Sequence, residues 1–209
     1  MTLSEPAPAP EPSPYVRSLP VGQPLPIPEA VREWDILPLT GDLSVKPLRP
    51  PVLPEPARVG EDSTAGCDSC ALSDTDTLWA DEHWRVSPLP DSANTGIPGG
   101  ALLEPRAHLD LGELPMERMV ELGPMIQRME RALLSLGGIA RVHVNRWGEG
   151  SRHFHLWFLA RPAGMPQLRG PFLPLWNELL PPLPAAELAA VHRTIAASLA
   201  ADGGVAYAL

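Results

Sequence analysis

Large apolar residues recur at helical spacing in two stretches of the chain. Met119, Leu122, Ile126, Met129 and Leu133 fall on one face of a helix predicted over 115–136. Pro115 suits a first helical position, and Gly137-Gly138 stops the run. Pro124 lies inside it and predicts a kink or two consecutive helices, since an interior proline breaks the hydrogen-bond ladder at a cost of ~3 kcal/mol or more. Leu188, Val191, Ile195 and Leu199 mark a second helix over 185–201, ended by Gly203-Gly204. The other apolar runs are short and bounded by turn residues, as strands are. They cover 79–86, 101–104 before Pro105, 139–145 and 152–160. The last two flank Arg146-Trp147-Gly148-Glu149-Gly150-Ser151, which predicts a hairpin with a glycine-bearing loop. The pattern predicts an α+β fold, an antiparallel sheet with one long helix and a C-terminal helix.

Proline changes this picture at the N-terminus. Of 28 prolines, 15 fall in positions 1–60, so the first third is not ordinary domain sequence. Residues 1–14, with proline at every second position from Pro6, read as a disordered polyproline-type tail. Over 15–66 proline continues but is joined by Leu25, Ile27, Trp34, Ile36, Leu37 and Leu39. That apolar content predicts an extended strap laid on the domain, with one strand near 34–39 and a polar connector over 60–66. The domain proper is expected over 67–165. A C-terminal segment over 166–209, proline-rich at 171–184 and then helical, packs on it.

Net charge of −9 argues against nucleic acid as a partner. No stretch has the ~20 apolar residues of a membrane span, and the N-terminal residues lack the basic and apolar regions of a secretory signal. The expected compartment is cytoplasmic, where thiols stay reduced. Locally the charge reverses. Arg141, Arg146, Arg152, Arg161 and Arg169 face one acid, Glu149, which suits a small anionic ligand.

Two motifs carry chemistry. In a strand over 152–160, His153, His155 and Trp157 share one face and Phe154, Leu156 and Phe158 the other. Paired histidines backed by an apolar face point to a ligand or catalytic role. Cys67-Asp68-Ser69-Cys70 is either half of a zinc site or a redox pair. Residues 71–76 do not resemble the helix that a redox pair needs. A zinc site needs two more ligands, for which His108 and His153 are the natural candidates, and four protein ligands make it structural.

The order of these pieces resembles the zinc-bearing members of the histidine triad superfamily, with a layout shared by galactose-phosphate uridylyltransferases. The pieces are Cys67 and Cys70, then Pro105-Arg106-Ala107-His108, a long helix, and His153-Phe154-His155-Leu156. The resemblance implies a HIT-like sheet and a structural zinc on Cys67, Cys70, His108 and His153. It also implies a nucleophilic histidine at His155, with Asn145 beside the substrate phosphate. Ser151 and either Arg152 or Arg146 then supply further phosphate contacts. Trp157 stands where the family has a third histidine or a glutamine, and offers at most one N–H to the ligand. The implied activity is that of a nucleoside phosphoramidase, dinucleotide hydrolase or nucleotidyltransferase, acting on a nucleotide or another small phosphorylated molecule. The alternative is an inactive zinc-stabilised binding protein. Members of this family commonly form homodimers through the long helix.

Overall fold

The computed structural model describes residues 11–208, in two units that divide between Ala57 and Arg58. In the first unit, the Ser13 hydroxyl accepts from the Val16 N–H and starts a single turn, α1 (Pro14–Ser18). A second turn, α2 (Glu29–Arg32), follows Pro28. The tail expected over 1–14 lies outside the described residues as far as position 10. The strand expected at 34–39 does not form. The Leu37 N–H turns back to the Trp34 carbonyl at 3.0 Å, satisfying the backbone locally.

The second unit begins at Arg58 and carries the sheet. One helical turn, α3 (Asp68–Ala71), starts at Cys67. The run expected as one strand over 79–86 is two, β1 (Trp79–Ala80) and β2 (Trp84–Pro88). Asp81 breaks it, because its carboxylate accepts from the N–H groups of both His83 and Trp84 at 2.8 and 2.7 Å. β3 (Gly100–Pro105) pairs antiparallel with β2.

The long helix α4 (Met116–Leu134) runs through Pro124 as one continuous helix rather than two. Pro124 is exposed, and the Val120 carbonyl left without its partner lies on an exposed turn where water can reach it. Its buried face is Met125, Met129, Ala132 and Leu133, with Leu122 and Ile126 against the core. Met119, expected in that face, is 42% exposed.

β4 (Ile139–Asn145) pairs with β5 (Leu156–Pro162), which lies next to β3. α5 (Leu173–Leu179), α6 (Ala185–Ala200) and β6 (Val205–Ala206) complete the unit. The strand order is β4-β5-β3-β2-β1-β6, antiparallel throughout. One face of the sheet, with Trp79, Val86, Leu103 and Phe158, packs on Met129 and Leu133 of α4 and Ile195 and Leu199 of α6. On the other face Leu102 and Leu159 meet Leu89, Ile97, Leu168 and Leu173. Cross-strand partners share a face, so Asn145, Trp157, Leu102 and Ser87 stand in one row on this second side.

The strand expected over 152–160 starts later, at Leu156, and the glycine-bearing loop expected over 146–151 is a longer excursion over 146–155. The register explains this: Asn145 already opposes Trp157, so the intervening chain leaves the sheet. Its N–H groups bond elsewhere, Arg152 to the Val59 carbonyl at 3.0 Å and Phe154 to that of Leu109 at 2.7 Å. The expected sidedness survives, with Phe154 in the helix-side core and His153 and His155 outside it. No helix among the described residues is long and apolar enough to cross a membrane.

Candidate metal centre and adjoining cleft

Four side chains from three parts of the chain converge on one point. Cys67 and Cys70 sit at the start and on the turn of α3, His108 follows β3, and His153 lies on the excursion before β5. Their ligand atoms all lie within 4.8 Å of one another. Cys70 Sγ is 3.2 Å from His108 Nδ1, and both sulfurs are 3.5 Å from His153 Nδ1. A tetrahedron with Zn–S of about 2.3 Å and Zn–N of about 2.0 Å has mixed edges of roughly 3.5 Å. The S₂N₂ donor set therefore fits a zinc-sized ion.

The outer contacts fix the tautomers. His153 Nε2 donates to the Pro105 carbonyl at 2.8 Å and His108 Nε2 to the Gly60 carbonyl at 3.0 Å. A carbonyl only accepts, so each ring carries its proton on Nε2 and turns the Nδ1 lone pair to the thiols. Burial keeps His153 neutral by lowering its pKa. The Cys70 thiol is pushed up to about 11, by lost hydration first and then by its Cys67 neighbour. A divalent cation would reverse that penalty, because a coordinating thiol gives up its proton.

Gly60 is a residue that the spacing of cysteines and histidines did not reveal. Its φ is +80°, and a Cβ there would lie 2.8 Å from His108 Cε1 and 3.1 Å from Cys67 Cβ. Only glycine lets this backbone press against the cluster. The segment is also tied to the excursion: Val59 N–H donates to the Gly150 carbonyl at 3.0 Å, making a parallel bridge with Ser151. A glycine in a polar Gly/Ser/Asp connector was the one signal available in the sequence.

Beside the cluster lies a cleft of about 330 Å³, lined by Val59, Asp68, Ser69, Leu102, Glu104, Trp147, Glu149, Ser151, His155 and Trp157, among others. His155 is 8% exposed, and its Nδ1 donates to the His153 carbonyl at 2.8 Å. That bond leaves Nε2 as the basic nitrogen of a ring on the cleft wall. Ser151 Oγ accepts from the His153 N–H at 3.2 Å. Glu104 is buried in the floor, where it accepts from Ser69 Oγ and Ser87 Oγ and lies 3.7 Å from Arg85 Nε. Trp157 lines the cleft with its ring, but its Nε1 is buried and has no hydrogen-bond partner.

The arginines expected around the anion are placed otherwise. Arg146 pairs with Asp110 at 2.6 Å, Arg152 with Glu113, and Arg58 with both Asp110 and Glu61. These pairs pin the excursion to the start of the helix-bearing segment rather than line the cleft. Among the described lining residues there is no Lys or Arg, and Asp68, Glu104 and Glu149 are acidic. Clustering of charge in sequence did not become clustering in the cleft, because Arg146 and Arg152 each found a carboxylate while Arg141 and Arg161 donate to backbone carbonyls. Asn145 ends β4 opposite Trp157, half-buried and outside the lining of the cleft.

No protein-family model matches the chain, and no curated protein is detectably similar to it. Among solved structures it is similar to a zinc-bound histidine triad family protein from Mycobacterium smegmatis. Identity is 21%, covering 60% of this chain and 84% of the other, with a TM-score of 0.43. A histidine triad protein from Marinobacter aquaeolei VT8 is 22% identical over 59% of this chain and 87% of the other, with a TM-score of 0.47. A uridylyltransferase is 18% identical over 61% of this chain and 42% of the other, with a TM-score of 0.41.

Proposed function

We propose that this protein binds a nucleotide or a similar small phosphate ester beside a structural zinc and transfers its nucleotidyl group through His155. The observation that carries this reading is the His155 ring on the cleft wall, its Nδ1 proton committed to the His153 carbonyl and Nε2 left basic. Neutral imidazole is a competent nucleophile near pH 7. Nε2 attacks phosphorus as the bond to the leaving group breaks, and the leaving group departs with that electron pair. Water or another acceptor then displaces His155 and releases the nucleoside monophosphate. Ser151 is the hydroxyl on the cleft wall that is suited to a phosphate oxygen. Asn145, Arg152 and Trp157 belong to the proposal more weakly, since Arg152 is held by Glu113 and the Trp157 N–H is buried.

Cys67, Cys70, His108 and His153 would hold the zinc, with no position left for a substrate. Its chemistry would be structural, locking the bends before β5. His153 would thereby fix the carbonyl that orients His155. A homodimer through the exposed apolar row Met116, Met119 and Val120 of α4 is part of the proposal. So is a cytoplasmic location.

The acid-lined cleft disfavours polyanionic substrates, so nucleoside phosphoramidates should outperform dinucleoside polyphosphates and nucleotide sugars. A panel of these three classes, run on the protein and on His155→Asn with zinc quantified in both, tests the reading. Turnover that survives in the zinc-bound variant overturns the role of His155. The second reading, a zinc-stabilised binding protein without turnover, is favoured by the buried Trp157 N–H. It predicts zinc, ligand binding and no turnover in either protein.

A further inference from the structure

A second cleft of about 330 Å³ adjoins the first, and Trp147 and Trp157 line both. The two indoles are 5.5 Å apart between centroids and meet at 63°, making a corner. Leu159 and Pro174 complete its apolar wall, and Asp91 and Glu178 supply its charge. We propose that this cleft is a binding site for an organic ammonium group, primary or quaternary, with its apolar substituents against the indoles.

Three observations carry the assignment. Indole rings are the best side chains for holding a cation over a π face, and two of them line this cavity. Among the described residues the charge of the lining is purely negative, since Asp91 and Glu178 are joined there by no Lys or Arg. The Asp91 carboxylate is held in place by the Asn94 side-chain amide, which donates to both of its oxygens at 2.8 Å. Nor does the protein fill the site with its own nearby cations. Arg146 is engaged by Asp110 and Arg152 by Glu113. An anion is disfavoured by both carboxylates, and a neutral aromatic ligand would leave them without a counterpart.

The inference stands on the cavity and does not depend on chemistry at His155. Choline and its uncharged isostere 3,3-dimethyl-1-butanol separate charge from shape. Each is titrated into the intact, zinc-loaded protein while the indole N–H signals of Trp147 and Trp157 are followed by NMR, assigned from Trp→Leu variants. Choline should shift both signals to saturation, and bind roughly three- to thirtyfold more tightly than the neutral isostere. The Asp91→Asn, Glu178→Gln double variant, altered at two exposed positions, should lose most of that preference while keeping its melting temperature. Equal affinity for the two ligands overturns the proposal, as does choline leaving both signals unmoved. Unchanged choline affinity in the double variant also overturns it. Because the readout is binding, absence of turnover at His155 leaves this result intact.

Discussion

Replacing Gly60 by alanine tests whether the connector is a working part of the candidate metal centre. The backbone there has φ +80°, a region that costs an L-residue with a side chain roughly 1–2 kcal/mol. The new Cβ would meet His108 Cε1 at 2.8 Å and Cys67 Cβ at 3.1 Å, and neither is the free end of a flexible chain. His108 must therefore move, weakening its 3.0 Å bond to the Gly60 carbonyl, worth about 0.5–1.5 kcal/mol. Together these give a destabilisation of about 2–3 kcal/mol, or a fall in Tm of about 5–10 °C for a unit of this size. Zinc affinity should fall about 10- to 100-fold, as it does when the orienting partner of a ligand histidine is lost. Gly66→Ala is the control, since it lies next to Cys67 with ordinary φ and nothing within 4 Å of its added Cβ. Competition with a chromophoric chelator and a thermal melt read both quantities. Gly60→Ala indistinguishable from wild type in both would refute the argument that this backbone supports the cluster.

Other consequences follow from the same contacts. Chelation of the metal should lower Tm by roughly 10 °C or more and expose Cys67, which is buried, to thiol reagents; a metal-free protein with an unchanged melt contradicts the site. Asp110 loses hydration on burial, but the Leu111 N–H and the Arg58 and Arg146 guanidinium groups outweigh this and hold its carboxyl below the usual range. That contribution is fully present above the unfolded value of about 3.9 and is lost as pH falls through the lower folded value. Acid melts of wild type and Asp110→Asn should therefore converge below about pH 4, and a constant gap down to the lowest pH would count against it. Arg128 lies 4.5 Å over the Trp79 ring and donates to the Leu199 and Gly203 carbonyls at the end of α6. Arg128→Ala should cost about 2–4 kcal/mol in a denaturant melt, and a loss under 1 kcal/mol would show those contacts to be idle.

The cluster of Cys67, Cys70, His108 and His153 was largely legible from residue type and order. Cysteine and histidine have few roles as a closely spaced set, and C-x-x-C spacing restricts both thiols to one turn, as α3 does. The alternation of Phe154, His155 and Leu156 also gave the correct sides of the sheet, even where the ladder is absent. What the pattern missed depended on partners distant in sequence. The excursion over 146–155 follows from register with β5 and from Val59 and Leu109, which no local period encodes. The arginine patch dissolved because Asp110 and Glu113 lie about 30–40 positions away in sequence, yet adjacent in space. Asp81 divided β1 from β2 by a side-chain cap that hydrophobic periodicity does not register. Pro124 was tolerated because it is exposed, on the side of the helix opposite Met129 and Leu133.

In the proposed reaction His155 carries the nucleotidyl group. The most direct measurement is the intact mass of the protein, quenched within a turnover after mixing with adenosine 5′-phosphoramidate. Wild type should carry a nucleoside-monophosphate adduct mapped to His155, and zinc-bound His155→Asn should carry none. Hydrolysis that proceeds without an adduct, and equally fast in the variant, would contradict it.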